Sequence, residues 1–133
     1  MPFERAFSGA PWEAKVGYCR ALRAGNLAFV TGTAPLADDG SVFAPGDAYR
    51  QAARCLEIIG RALRQIGFGL QDVVRTRLLV TDIRRWDDFA RAHHERVAKH
   101  PPCTMVEVKS LIDPAMLIEI EVDAVRPDTP QSG

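Results

Sequence analysis

Ala52, Leu56, Ile59, Leu63 and Ile66 recur at steps of four and three residues, drawing one apolar stripe along a helix whose other faces carry arginines and Glu57. A helix of this kind gains most of its stability from whatever covers the stripe, so the chain must supply a partner surface. Asp47 stands where an N-cap belongs and Gly67 where the residue after the C-cap belongs, and the spacing predicts a helix between them. The covering surface is legible as β-structure. Val73 to Val80 is β-branched and alternating, with Arg75 and Arg77 opposite Val74, Thr76 and Leu78. Gly17 to Arg23 and Leu27 to Thr33 read as strands joined by Ala24-Gly25-Asn26, and Ala34 to Gly46 reads as a loop. A second helix is expected from Trp86 to Lys99, with Phe89, His93 and Val97 on one face and Pro101-Pro102 as its stop. Thr104 to Ser110 and Met116 to Val125 are expected to pair as a closing hairpin.

The order ββαβαββ predicts an α+β fold, one sheet with both helices on one face. The other face then needs cover. Met116, Ile118, Ile120 and Val122 make one apolar strand face, and exposed apolar sheet is improbable on a monomer, so an oligomer is expected. A chain of 133 residues fits one domain, taken as 1–126 with a tail at 127–133. Seventeen basic residues balance 17 acidic ones, so no overall charge draws the chain to nucleic acid or to an anionic membrane. Cys19, Cys55 and Cys103 are odd in number and widely spaced, which argues for a reducing compartment. With no signal-like start and no membrane-length apolar run, the expected location is the cytoplasm. His93-His94-Glu95 lacks the second histidine of a zinc helix, since Ala98 stands there, and no metal or other cofactor is implied.

Four segments, taken together, carry a family resemblance. They are Ser8-Gly9-Ala10-Pro11-Trp12-Glu13 with Gly17-Tyr18-Cys19-Arg20, then Gly25 to Pro35 around Thr31-Gly32-Thr33. Asp72 to Arg77 with Val80-Thr81-Asp82 follows, and last comes Pro101-Pro102-Cys103-Thr104-Met105 leading to Met116 through Val122. In this order the chain resembles the Rid/YjgF family, which includes imine and enamine deaminases and carries an endoribonuclease L-PSP label. The resemblance implies a chorismate-mutase-like fold, a homotrimer, and a small metabolite bound in clefts between subunits.

It also implies roles for particular residues. Tyr18 and Thr31 match ligand-binding positions, His93 matches a helix asparagine, and Glu119 matches the glutamate that orients attacking water. Cys103 falls where deaminating members place the arginine that clamps a carboxylate. A thiol offers only a weak donor in place of a charged planar fork, a loss of about 1.5–3 kcal/mol. Either Arg20, Arg75 or Arg77 reaches the cleft instead, or the ligand lacks a carboxylate. A Cys103 nucleophile with His93 as base is a further option. From the residues alone, Glu119 shares a strand face with Leu117, Glu121 and Asp123, a pattern usual for a solvated edge. His93 suits a packed helix face, and Tyr18 a strand tyrosine. Three functions stay open: an imine or enamine hydrolase, a ligand-binding trimer without catalysis, and an endoribonuclease, against which the zero net charge counts.

Overall fold

The computed structural model describes residues 2–127. The tail expected at 127–133 falls, from residue 128 onward, outside the described residues. Strands β1 (Glu4–Ala6), β2 (Ala21–Ala24) and β3 (Leu27–Thr33) lead to helix α1 (Ala48–Gln65), then β4 (Val73–Val80) and α2 (Trp86–Arg96), and finally β5 (Cys103–Glu107) and β6 (Ile118–Val125). They build one mixed sheet in the order β1-β2-β3-β6-β4-β5, with α1 and α2 packed on each other and on one side of it.

Helix α1 forms as its sequence demands. The Asp47 side chain accepts from the Arg50 amide at 3.0 Å, and all five stripe residues are buried. Beyond Ile66 the Phe68 amide reaches the Leu63 carbonyl at 2.9 Å and the Gly67 amide the Arg64 carbonyl at 3.2 Å. That pairing needs a left-handed residue at 67, where Gly67 has φ +84°. Asp47→Ala should cost about 1 kcal/mol in denaturant unfolding, since only the cap is lost. An unchanged midpoint would mean that packing alone fixes the helix start.

Three expectations need correction. The last two strands do not pair. β5 runs parallel to β4, with Thr76 opposite Cys103, and β6 lies antiparallel on the other side of β4. The reason is connectivity: strand, helix, strand makes β4-α2-β5 a crossover unit, which places its two strands side by side and parallel. Because β6 is central, Leu117, Glu119, Glu121 and Asp123 do not lie on a solvated edge strand. Second, Met116, Ile118, Ile120 and Val122 face the helices and are buried, so the open face is the one bearing Glu119, Glu121 and Asp123. It also carries Arg77, 3.4 Å from Glu121 and 3.6 Å from Asp123, and exposed Leu27 and Phe29. Third, a bulge between Val73 and Arg75 turns Val74 out of the face shared by Thr76 and Leu78.

One element is new and several boundaries move: β2 runs Ala21–Ala24 where Gly17 to Arg23 was expected, β5 Cys103–Glu107 where Thr104 to Ser110 was expected, and β6 starts at Ile118, not Met116. The short strand β1 pairs with β2 and was not expected from the sequence. Helix α2 stops at Arg96, not Lys99, because Val97 enters the core in extended backbone and Lys99 and His100 take positive φ.

Candidate functional site

Glu13 to Gly17 form a single π-turn, closed by the Tyr18 amide on the Glu13 carbonyl at 3.0 Å, with Gly17 at φ +93° ending it. The turn brings the Glu13 carboxylate back over Ser8, whose amide donates to both carboxylate oxygens at 3.1 and 3.2 Å. Arg20 completes the cluster. Its Nε donates to Glu13 Oε2 at 3.0 Å, and its Nη1 donates to the Gly32 carbonyl at 2.8 Å. Arg20 is 4% exposed and Glu13 5%. Burial pushes the Glu13 carboxyl up, but the Ser8 hydrogen bonds and the Arg20 charge together hold it below the usual carboxylate range.

Beside this pair opens a cleft of about 570 Å³. The segment from Phe7 to Trp12 and the loop from Ala34 to Gly40 form its walls, with one side of α1. It reaches the sheet at Tyr18, Arg20, Gly32 and Glu119. The Arg20 guanidinium lies 5.5 Å from the Tyr18 ring centre, so these two side chains form one polar corner.

Glu119 is half-buried, and its carboxylate makes no hydrogen bond among the described residues. Burial raises its carboxyl above the ordinary value; Arg20 draws it down and Glu121 pushes it up, and burial prevails. A Cβ built on Gly32 would stand 2.5 Å from Glu119 Oε1, so the absence of a side chain at 32 makes room for this carboxylate. Gly32→Ala should displace the Glu119 titration seen by side-chain NMR and cost no more than about 1 kcal/mol, because the obstacle is the mobile end of a side chain. An unmoved titration would mean that the carboxylate does not lie against Gly32.

The remaining sequence candidates lie elsewhere. Thr31 is half-buried beside Gly32 but does not line the cleft. His93 projects from α2 toward the helix-covered face, where its Nε2 is 2.8 Å from Thr76 Oγ1. Burial, with a smaller push from His94, lowers its pKa, so it is neutral at pH 7 and no fixed cation for a carboxylate. Cys103 is exposed on the edge strand β5, the register partner of Thr76, and it too is outside the cleft. Within one chain, then, Glu119 and His93 do not converge. Arg75 and Arg77 do not line the cleft either; of the three arginines offered as a replacement, Arg20 alone does.

The sequence reading did not include Glu13, Ser8 or Gly32 as site residues. Gly17 before Tyr18, with an acidic residue four positions earlier, was the available signal for the first of these. Among the described residues no three His, Cys, Asp or Glu side chains are grouped to hold a metal ion, and no helix is long and apolar enough to cross a membrane.

Comparison with known proteins places this architecture. The family model for endoribonuclease L-PSP matches residues 8–126. Rv2704 from Mycobacterium tuberculosis, a solved member of the YjgF/YER057c/UK114 family, superposes with a TM-score of 0.84 at 41% identity, covering 94% of this chain and 100% of its own. Protein SCO2049 of Streptomyces coelicolor is 34% identical over 123 residues, 92% of this chain and 91% of its own length. The 3-aminoacrylate deaminase RutC of Acinetobacter baylyi is 29% identical over 103 residues, 77% of this chain and 82% of its own length.

Proposed function

The chain belongs to the endoribonuclease L-PSP family, the YjgF/RidA group, and from that premise we propose that it is an imine or enamine hydrolase of the deaminase type. The observation that carries the reading is Glu119: a half-buried carboxyl, raised by burial, without a hydrogen-bond partner among the described residues, lining the cleft. A carboxyl poised this way exchanges protons nearer neutrality than an ordinary glutamate does. In the step it serves, water oxygen bonds to the imine carbon while one water proton passes through Glu119 to the nitrogen. The carbinolamine so formed collapses: its hydroxyl proton passes, again through Glu119, to the nitrogen, its C–N bond breaks, and a carbonyl compound and ammonia leave. An enamine enters the same route after tautomerising to the imine. The deaminase activity named for the RutC relative supports this class of reaction.

The same reading takes the protein as a homotrimer, in which neighbours cover the open sheet face where Phe29 is 47% exposed. Sedimentation should then report three times the chain mass of 14.7 kDa, and a monomer would remove the trimer.

The decisive assay is hydrolysis of freshly generated 2-imino acids by the native protein beside Cys103→Arg. Turnover by the native protein sustains the proposal. Activity confined to Cys103→Arg means that the machinery around Glu119 works on a different ligand. Silence from both, with a ligand still bound, assigns the cleft to binding without catalysis.

A further inference from the structure

We propose that Arg20 is the anion anchor of the cleft, and that the ligand it selects is a carboxylate carrying an apolar body that lies along Trp12, Ile58 and Ile112. The inference deepens the reading of this cleft given above and takes the cleft from it.

Three observations carry it. Arg20 is nine-tenths buried yet lines the cleft, and its bonds are unevenly distributed. Nε is held by Glu13 at 3.0 Å and lies 3.3 Å from Ser8 Oγ. Nη1 donates to the Gly32 carbonyl at 2.8 Å and lies 3.4 Å from Thr33 Oγ1. Nη2 has no partner among the described residues. Yet no buried side-chain nitrogen or oxygen there lacks one, so Nη2 is open to the cleft. The guanidinium is therefore fixed through Nε and Nη1, and Nη2 keeps its N–H groups for a ligand in the cleft that Arg20 lines. Rigid placement of a permanent charge is what carboxylate recognition requires.

Glu13 makes this placement possible, since an arginine this deeply buried needs a counter-charge. The ion pair is asymmetric in use. Glu13 is satisfied by Ser8 and Arg20, which leaves it nothing to offer the ligand, while Arg20 keeps one nitrogen free.

The cleft's size and lining supply the rest of the ligand. In the single chain the cleft measures about 570 Å³, within the range of sites that take drug-sized molecules. Trp12, Ile58 and Ile112 are among the residues lining it, and the other lining arginines, Arg54 and Arg61, are already paired with Asp38 and Glu57.

The test is direct binding, which needs no turnover. Calorimetric titration of 3-phenylpropanoate against 3-phenylpropanamide should give the acid about a 10- to 100-fold lower Kd on the native protein. Arg20→Lys should lose most of that preference and Arg20→Gln all of it. Should Arg20→Gln fail to fold, Glu13→Gln with Arg20→Gln removes both charges at once and reads the same preference. Acetate should bind at least about tenfold more weakly than 3-phenylpropanoate, because it reaches none of the apolar wall. Equal affinity for acid and amide on the native protein overturns the anchor, as does a preference that survives in the folded Arg20 variants. Acetate binding as tightly as 3-phenylpropanoate overturns the apolar body. The hydrolase reading stands or falls separately. Acid selectivity without imine turnover keeps the anchor and removes the chemistry. Turnover with KM unchanged in Arg20→Gln keeps the chemistry and removes the anchor.

Discussion

Glu13→Ala lowers the stability of the protein by about 3–5 kcal/mol at neutral pH, the cost of leaving a buried guanidinium without its partner. The low end applies, because Nη2 of Arg20 is open to the cleft and retains some water. The loss has two parts. Arg20 loses the carboxylate 3.0 Å from its Nε, and the Ser8 amide loses both of its acceptors, so the segment leading into β2 is no longer tied down. Glu13→Ala with Arg20→Leu should recover much of the loss, since no charge is then stranded. The pH dependence gives an independent check. The folded pKa of Glu13 is depressed, so its contribution is complete above the unfolded value and fades as pH falls through the folded one. The difference between native and Glu13→Ala, measured by urea unfolding, should therefore shrink below the ordinary carboxylate range. A single variant as stable as the native protein would mean that the pair adds nothing to folding. A gap that persists undiminished at low pH would assign the loss to packing and not to charge.

The residues that were legible beforehand and those that were not differ in a physical way. Helix α1 was legible because its signals are local: a cap, a stripe and a left-handed glycine, all within 21 consecutive positions of the chain, 47 to 67. Alternation likewise grouped the residues of β4 and β6 by face, apart from Val74, since a bulge adds a residue without changing the surrounding pattern, but it did not say which face of β6 the helices cover. Alternation carries no information about which strand lies beside which. The hairpin reading of the last two strands failed there, and with it the view of Glu119 as part of a solvated edge. The candidate site divides similarly. Tyr18, Arg20 and Glu119 were named from sequence, and the structure gathers them in one cleft. The contact of Gly32 with Glu119 joins positions 87 apart in the chain, and nothing local to either announces it. The Arg20–Glu13 pair spans only seven residues, but it depends on a π-turn, for which no regular periodicity exists to be read.

Glu119→Gln should leave the fold intact and reduce imine hydrolysis about 10²- to 10⁴-fold, the usual worth of a placed general acid–base group. The amide fills the same space beside Gly32 but cannot take a proton from water and return it to nitrogen. Two further readouts separate this role from a structural one. In the native protein the acid limb of kcat/KM should fall at a pH above the ordinary glutamate value, because burial raises the carboxyl, and in Glu119→Gln that limb should vanish. Stability should move the opposite way. A carboxyl whose folded pKa is raised is more easily tolerated protonated; its contribution is present below the unfolded value and is lost as pH rises through the folded one. At neutral pH the native protein therefore bears a burial cost that Glu119→Gln does not, and the variant should unfold at a higher urea concentration. Its advantage should disappear on acidification. A more stable variant that retains full hydrolysis would take Glu119 out of the reaction, and a less stable one would mean that its carboxylate is held by partners which the fold cannot spare.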